Sequence, residues 1–304
     1  MSLLSIVVPC FNEEAVLEQF YTVTSKTLAD LDLDIEYVFV DDGSKDKTLE
    51  ILRTMSSLHD DVHFASFSRN FGKEAAIFAG LNEAKGDAVV VMDADLQHPP
   101  TAIIDMVACW KDGFEVVEGI KTSRGKESLM HRLFAGSFYG IISKFIGIDM
   151  NNSSDFKLLD RKVVDVLASL KERNTFFRAL SFWAGFNTTE VTYQVQERAG
   201  GNTKWSFSSL VKYAIRNLIS FTYAPLYWVI SIGVLFWIVG IFLTVDAVVD
   251  FFRGITAAGY PTLVILMVIA TGCILVSIGI IGVYVAKIYD EIKGRPQYIV
   301  RERK

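Results

Sequence analysis

Two carboxylates one residue apart, Asp93 and Asp95, form the pattern with the clearest chemical meaning in this chain. They directly follow the apolar run 89–92, and Gln97 lies two residues beyond them. Such a run predicts a buried strand, and open α/β folds bind ligands outside the carboxyl ends of their strands. Carboxylate oxygens suit a hard divalent cation such as Mg²⁺ or Mn²⁺, which can in turn hold a diphosphate. Because Asp-x-Asp is short and common, a solvated acidic turn is an equal alternative from this spacing alone.

The elements that must position these carboxylates alternate along the first hundred residues. Strands are predicted at 4–9, 35–40 and 62–67 and in the run before Asp93, with helix-length segments at 13–30, 46–58 and 72–85. This alternation favours an α/β fold, with a parallel sheet covered by helices on both faces. Three strand ends, at 9–13, 41–44 and 93–97, then meet at one edge of the sheet, and their polar side chains are candidates for a site.

Residue order and spacing together resemble a known family. The segments are Val-Val-Pro-Cys-Phe-Asn-Glu at 7–13, Val-Asp-Asp-Gly-Ser at 40–44, Asn-Phe-Gly-Lys at 70–73 and Asp-Ala-Asp-Leu-Gln-His-Pro-Pro at 93–100. They are similar to the inverting glycosyltransferases of family 2, which have the GT-A fold, and more narrowly to the polyprenyl-phosphate glycosyltransferases, such as bactoprenol glucosyltransferases and dolichyl-phosphate mannose synthases. Segments 155–161 and 198–205 fit the same subfamily, so the resemblance covers about the whole chain.

The resemblance implies a role for each strand end. The nucleotide-sugar donor would contact Pro9, Phe11, Asn12, Glu13, Val40, Asp42, Lys73, Asp93 and Ala94. Metal ligands would be Asp93, Asp95 and Gln97, binding Mg²⁺ or Mn²⁺, and the catalytic residues would be Asp95 and Asp155. Asp155 stands where a base is sometimes assigned, but it could equally orient Arg161 or a sugar hydroxyl. Asn12 and Ser44 could instead be helix caps.

The implied acceptor is a polyprenyl phosphate, whose charged group needs cations. Four candidates for its phosphate are Arg124, Arg132, Arg198 and Lys204. The last two match the family segment Arg-x-x-Gly-x-Ser-Lys, with Thr203 in place of its serine. A phosphate monoester is largely ionised near neutral pH, so a strong general base is not required.

The implied reaction is inverting transfer of a sugar, with glucose from UDP-glucose as the first choice, to undecaprenyl phosphate. Other donors such as UDP-GlcNAc or GDP-mannose, or a non-lipid acceptor, are alternatives. A catalytically inactive membrane anchor is a further alternative, although Asp93, Asp95 and Gln97 are all present.

Composition indicates a membrane protein and argues against a nucleic-acid partner. The chain is 51% hydrophobic and has a net charge of −5, so it lacks a basic footprint. Leu226 to Val245 and Thr262 to Ala286 carry no charged residue, and a helix needs about 20 apolar residues to cross a bilayer. Basic residues precede the first of these segments and follow the second, whereas few lie between them. By the positive-inside rule, this predicts a multi-pass plasma-membrane protein with a cytoplasmic catalytic domain.

The predicted organisation has four parts. A GT-A domain at 1–205 precedes an interfacial amphipathic helix at 206–221. Two transmembrane helices at about 224–247 and 262–286 and a basic cytosolic tail at 287–304 follow. A second amphipathic segment runs from about 132 to 146, and a homo-oligomer is left open.

Overall fold

The structure is a computed structural model that describes residues 2–122, 154–170, 172, 176–194, 224–254 and 260–304. The chain divides into two units, one of Met1–Ser206 with Pro296–Lys304 and one of Phe207–Arg295. The described residues of the first unit form strands β1 Leu3–Cys10, β2 Asp34–Asp41, β3 Val62–Phe67, β4 Ala88–Val91, β5 Val116–Lys121, β6 Lys157–Asp160, β7 Thr188–Tyr193 and β8 Val300–Arg303. Its helices are α1 Leu17–Leu28, α2 Thr48–Leu58, α3 Lys73–Glu83, α4 Thr101–Lys111, α5 Arg161–Ser169 and α6 Phe177–Trp183.

These strands form one sheet in the order β7-β5-β6-β4-β1-β2-β3-β8. Strands β4, β1, β2 and β3 are mutually parallel, whereas β6 and β8 run antiparallel to their neighbours β4 and β3. The expected α/β class, the four early strands and the three helices between them are therefore confirmed. The carboxyl ends of β1, β2, β3 and β4 meet at one edge, as parallel pairing requires.

The core explains why the central strands read as continuous apolar runs. Leu4, Ile6, Val7 and Val8 of β1 are fully buried, because helices cover both faces of the sheet. Helix α3 approaches β1 closely: a Cβ added at Gly80 would collide with the side chain of Val7. This close packing sets the position of Lys73 at the first residue of α3.

The second unit contains two long apolar helices, α7 Ala224–Phe252 and α8 Tyr260–Ile292. Both are long and apolar enough to cross a membrane, over Leu226–Asp250 and Ile269–Ile292. The predicted amphipathic segments at 206–221 and 132–146 lie outside the described residues, so they stay predictions.

The end of the chain differs from the predicted basic tail. Helix α8 continues to Ile292, and Val300–Arg303 form β8, which pairs with β3 at the edge of the sheet. Along β8, half-buried side chains alternate with exposed ones, as in a strand that has one face against the protein and one face in solvent. Its charged residues therefore belong to an edge strand and not to a solvated tail. We call residues 296–304 the return segment, because they bring the chain back to the first unit.

Candidate functional site

The loops after β1 and β2 are joined into one wall by hydrogen bonds between them. The amide of Asn12 donates to Ser44 Oγ (2.9 Å), and the amide of Lys45 donates to Asn12 Oδ1 (2.9 Å). Asn12 adopts a left-handed backbone (φ 57°), which is uncommon for a residue other than glycine and occurs where surrounding contacts enforce it. Helix α1 begins after Val16 and α2 after Lys47, so neither Asn12 nor Ser44 is the helix cap considered from sequence.

Asp41 and Asp42, where β2 ends, are both buried and hold neighbouring loops. Asp42 Oδ1 accepts from the amide of Phe71 (2.6 Å) and Oδ2 from that of Gly72 (2.9 Å). Burial raises the pKa of Asp42, although the two amides oppose the shift. Gly43 must be glycine, because its φ is +67° and a Cβ would collide with the backbone of Arg69. The sequence interpretation listed Asp42 as a contact of the nucleotide-sugar donor. In the structure its carboxylate also holds the loop after β3 in place.

Two of the nine predicted donor contacts are core side chains. Val40 is fully buried and Ala94 is 2% exposed, so neither presents its side chain to a nucleotide. Phe11 (43% exposed) and Asn12 are open to solvent, while Pro9 and Glu13 are half-buried. The exposed members lie on the same sheet edge as Asp93.

The turn after β4 presents Asp93, Asp95 and Gln97. Asp95 Oδ1 accepts from the amide of Gln97 (3.1 Å), and between them Leu96 has φ 57°. Among the described residues, Asn12 and Leu96 are the non-glycine residues with positive φ, and both lie at this edge. Backbone strain of this kind concentrates at functional sites.

The buried side chain of His98 packs beneath this turn and holds its first residue by a hydrogen bond. Its Nδ1 accepts from the amide of Asp93 (3.5 Å), and its ring stacks on Phe156 (centroids 4.8 Å apart) and meets the edge of Tyr193 (5.6 Å). Burial lowers the pKa of His98. A neutral ring that accepts at Nδ1 carries its proton on Nε2.

A cluster of four charged side chains lies beside the turn. Lys73 Nζ contacts Asp93 Oδ1 (2.6 Å) and Asp155 Oδ2 (2.8 Å). Arg178 grips Asp155 with Nε to Oδ1 (2.6 Å) and Nη2 to Oδ2 (3.1 Å). Burial raises the pKa of Asp155, but Lys73 and Arg178 lower it by more, so the net shift is strongly downward. The pKa of Lys73 is raised, because Asp93 and Asp155 outweigh its desolvation.

Arg178 was missed by the sequence interpretation, which considered Arg161 as the partner of Asp155. Arg161 instead donates to the carbonyl oxygens of Gly86 (2.8 Å) and Ala84 (3.0 Å). The available signal was the one charge in the largely apolar stretch 176–183, most of which forms α6. A lone arginine on an otherwise apolar helix needs an anion nearby.

The backbone around Asp155 rests on a buried ion pair. Lys157 Nζ lies 3.2 Å from Glu118 Oε1 and donates to Ser181 Oγ of α6 (2.8 Å). The same glutamate oxygen accepts from the amide of Ser154 (3.0 Å). Lys157 thereby ties α6 to β6, the strand that begins two residues after Asp155.

The turn after β4 supplies hard oxygen donors for a divalent cation. Asp93 and Asp95 offer carboxylates and Gln97 an amide oxygen, a set that suits Mg²⁺ or Mn²⁺ and leaves positions for phosphate oxygens and water. Within the described ranges, no three His, Cys, Asp or Glu side chains converge as a closed metal site. An open site that shares its ion with a diphosphate fits this donor set.

The four predicted acceptor cations, Arg124, Arg132, Arg198 and Lys204, lie outside the described residues. Their roles stay predictions.

The chain is similar to known proteins in both sequence and fold. The profile described as Glycosyl transferase family 2 matches residues 5–167. An uncharacterized glycosyltransferase of Bacillus subtilis is 39% identical over 300 residues, covering 98% of this chain and 93% of that protein. A prophage-derived bactoprenol glucosyl transferase of Shigella flexneri is 34% identical over 304 residues, covering 98% and 97%.

Among solved structures, the chain is similar to glucosyl-3-phosphoglycerate synthase from Mycobacterium tuberculosis in complex with Mn²⁺, UDP-glucose and phosphoglyceric acid. The TM-score is 0.50 and the identity 22%, over 72% of this chain and 78% of that one. A likeness at this identity indicates a shared fold.

Proposed function

Because the chain belongs to glycosyl transferase family 2 and has its α/β GT-A fold, we propose that it transfers glucose from UDP-glucose to a polyprenyl phosphate. The observation that carries the proposal is the turn with Asp93, Asp95 and Gln97 beside the cluster of Lys73, Asp155 and Arg178. Relatives named bactoprenol glucosyl transferase, aligned over nearly the whole chain, support the sugar and the lipid. The finer choice of UDP as the nucleotide rests on the family and on the solved structure with UDP-glucose.

The donor would lie across the edge formed by β1, β2 and β4. The nucleoside would contact the wall around Asn12 and the loop closed by Asp42. Asp93, Asp95 and Gln97 would hold Mg²⁺ or Mn²⁺ at the diphosphate. A bound divalent cation supplies Lewis-acid stabilisation of the departing nucleoside diphosphate.

The protein's own contribution is positioning and charge. Lys73 carries a cation to the same edge and is placed to neutralise diphosphate oxygens. Asp155 is engaged by two cations and its pKa is far below the usual range, so it is a poor proton acceptor. We assign it to orienting Lys73 and Arg178. The ionised lipid phosphate attacks the anomeric carbon directly, and inversion follows from this single displacement.

A lipid acceptor explains why a nucleotide-sugar site is followed by long apolar helices. The chain leaves the first unit after Ser206 and returns to it at Pro296, so the intervening residues cross any membrane an even number of times. Two crossings by α7 and α8 satisfy this condition. With the flanking basic residues, this supports a catalytic domain and return segment on the cytoplasmic side.

The test is transfer by purified full-length protein to undecaprenyl phosphate, with Mn²⁺ and a panel of UDP-glucose, UDP-GlcNAc and GDP-mannose. We expect mass spectrometry to detect a lipid-linked hexose formed from UDP-glucose, with loss of product in excess chelator. Transfer only to a water-soluble acceptor would refute the lipid assignment, and preference for another nucleotide sugar would refute the donor.

Asp95→Asn supplies the first specific prediction. Removal of an anionic ligand should lower turnover by at least about a hundredfold while leaving the fold intact, because Asp95 is at the sheet edge rather than in the core. Isothermal titration should show weaker Mn²⁺ binding in the presence of UDP. The exposed Asp105→Asn is the matched control. Near-normal turnover by folded Asp95→Asn protein would contradict metal-assisted transfer.

A further inference from the structure

The return segment reaches beyond the regular pairing of β8 with β3. The register places Ala65 opposite Arg303 and Phe67 opposite Val300, and the amide of Ser68 then donates to the carbonyl of Ile299 (3.0 Å). This last bond lies past the end of β3. The return segment therefore supports the loop of residues 68–72, which we call the β3 loop.

Tyr298 makes the main side-chain contact between the two. Its ring is stacked on that of Phe67 (centroids 5.0 Å apart, planes 14° apart), and Phe67 meets Phe71 edge-on (5.7 Å). The three rings adjoin a small buried cluster that includes Val40 and Ala75. Tyr298 is half-buried, so this contact is packed but accessible to substitution without opening the main core.

The β3 loop is the part of the backbone that holds the donor-site residues. Phe71 and Gly72 donate their amides to both oxygens of Asp42. Lys73, the next residue, starts α3 and reaches Asp93 and Asp155. A shift of Phe71 would therefore be transmitted to Asp42 and Lys73 together.

We infer that the return segment is a positioning element of the donor site, and that Tyr298 holds the β3 loop in the conformation that binds the nucleotide diphosphate. The inference rests on the proposed function. It makes residues that follow both long helices necessary for binding a water-soluble substrate.

The other groups of the return segment anchor it away from the site. Arg53 forms a two-point contact with Glu302 (Nε to Oε1, 2.9 Å), and Arg303 contacts Glu83 (3.3 Å). Lys304, the residue after β8, also exchanges reciprocal backbone hydrogen bonds with Phe64 inside β3 (3.2 and 3.0 Å). Because these contacts remain when the Tyr298 ring is removed, a substitution there tests the loop contact separately from strand pairing.

The experiment uses the full-length protein with Tyr298→Ala, Tyr298→Phe and, as a matched control in the same segment, Ile299→Ala, whose side chain is 52% exposed. Loss of an aromatic contact should raise the donor KM and the Kd for UDP with Mn²⁺ by about tenfold. The KM for polyprenyl phosphate should change by less than about twofold. Tyr298→Phe, which keeps the stacked ring, should restore wild-type values, and Ile299→Ala should retain them.

Equal UDP binding by Tyr298→Ala and wild-type protein would overturn the inference, as would a loss of kcat with both KM values unchanged, which marks a smaller folded fraction. If Tyr298→Ala does not fold, Tyr298→Leu replaces it, because leucine keeps apolar volume without the stacked ring. The same two measurements, UDP binding and the comparison of kcat with KM, then decide the inference. Failure of the wild-type protein itself to bind any nucleoside diphosphate would instead refute the proposed function.

Discussion

Asp155 accepts charge-assisted hydrogen bonds from Lys73 and Arg178, so each of its oxygens already has a cationic partner. Such bonds are roughly twice as strong as neutral ones. The ionised carboxylate of Asp155 holds Lys73 and Arg178 at a fixed separation. If it accepted a proton, it would lose the negative charge that binds them. The geometry therefore favours an electrostatic rather than an acid–base role.

Arg178→Ala should lower turnover about tenfold to a hundredfold, since loss of a charge-assisted bond is worth about 1.5–3 kcal/mol. Arg178→Lys should recover only part of this loss, because an ammonium cannot reproduce the two-point grip. The measurement is kcat for lipid transfer, with the exposed Arg295→Ala as control. Full activity of folded Arg178→Ala protein would show that Asp155 needs only Lys73.

The sequence predicted one part of the site and not the other for a physical reason. Asp93, Asp95 and Gln97 follow a single strand, so their spacing alone brings them together. Asp155 and Arg178 meet only after α6 packs against α3 and α5, and this long-range packing leaves no local periodicity. Val40 is the opposite case, a residue that the sequence interpretation included in the site. Its motif matched the family, but its side chain is fully buried and does not face the site.

Helix α6, Phe177–Trp183, has too few residues to be stable alone and depends on its contacts with the rest of the sheet unit. Arg178 bonds to Asp155, Ser181 accepts from Lys157, and the amide of Phe177 donates to Glu74 of α3 (2.9 Å). These contacts convert a seven-residue helix into a fixed wall of the site.

Glu74→Gln should change stability in a pH-dependent way. Burial and Asp155 raise the pKa of Glu74 to about 7. The folded state therefore disfavours its ionised form, and that penalty is complete above pH 7 and absent below the unfolded pKa of about 4.3. Glu74→Gln should raise Tm by a few degrees at pH 8, and the gain should vanish as pH falls toward 5. A gain independent of pH, measured against the exposed Glu50→Gln control, would contradict this origin.

The buried pair of Lys157 and Glu118 gives a second prediction for α6. Lys157→Met leaves a buried carboxylate without its cation, which should cost about 3–5 kcal/mol of unfolding free energy. The double substitution with Glu118→Gln should recover most of that loss, because neither remaining side chain is charged. Denaturant unfolding of the two proteins provides the comparison. A double variant no more stable than Lys157→Met would show that packing, not charge, causes the loss.

Strand β8 shows why the end of the chain was misread. The charged residues of this segment led to the prediction of a solvated tail. The informative signal was the alternation of burial, in which the half-buried Tyr298 and Val300 alternate with the exposed Ile299 and Arg301. A strand of four residues is too short for this alternation to stand out. The partner strand and the Arg53–Glu302 contact are set by tertiary structure.

At the scale of the whole molecule, the chain joins a sheet unit to a pair of apolar helices and then returns to the sheet. Because the helix pair is connected to this unit at both ends, we predict that the two connections lie on the same side of a membrane. The positive-inside rule predicts that this side is the cytoplasmic one, because basic residues precede and follow the helix pair and few lie between the helices.

Topology can be tested by cysteine labelling in a variant lacking Cys10, Cys109 and Cys273. We expect Ala257→Cys, between the two helices, to react with an impermeant thiol reagent in intact cells. Ser57→Cys on α2 and Arg301→Cys on β8, both exposed, should react only after lysis. Labelling of Ser57→Cys in sealed cells would reverse the orientation and separate the site from cytosolic nucleotide sugars.

The pairing of β8 with β3 also fixes an order of events during biosynthesis. The ribosome completes β3 early, but the strand that covers its edge is made only after both apolar helices have been synthesised. Until then β3 is an open edge, the kind of surface that pairs with other chains. Newly made protein therefore keeps this edge open while the two helices are synthesised, and we expect a fusion at Lys304, whose amide bonds to Phe64, to slow the pairing of β8 with β3.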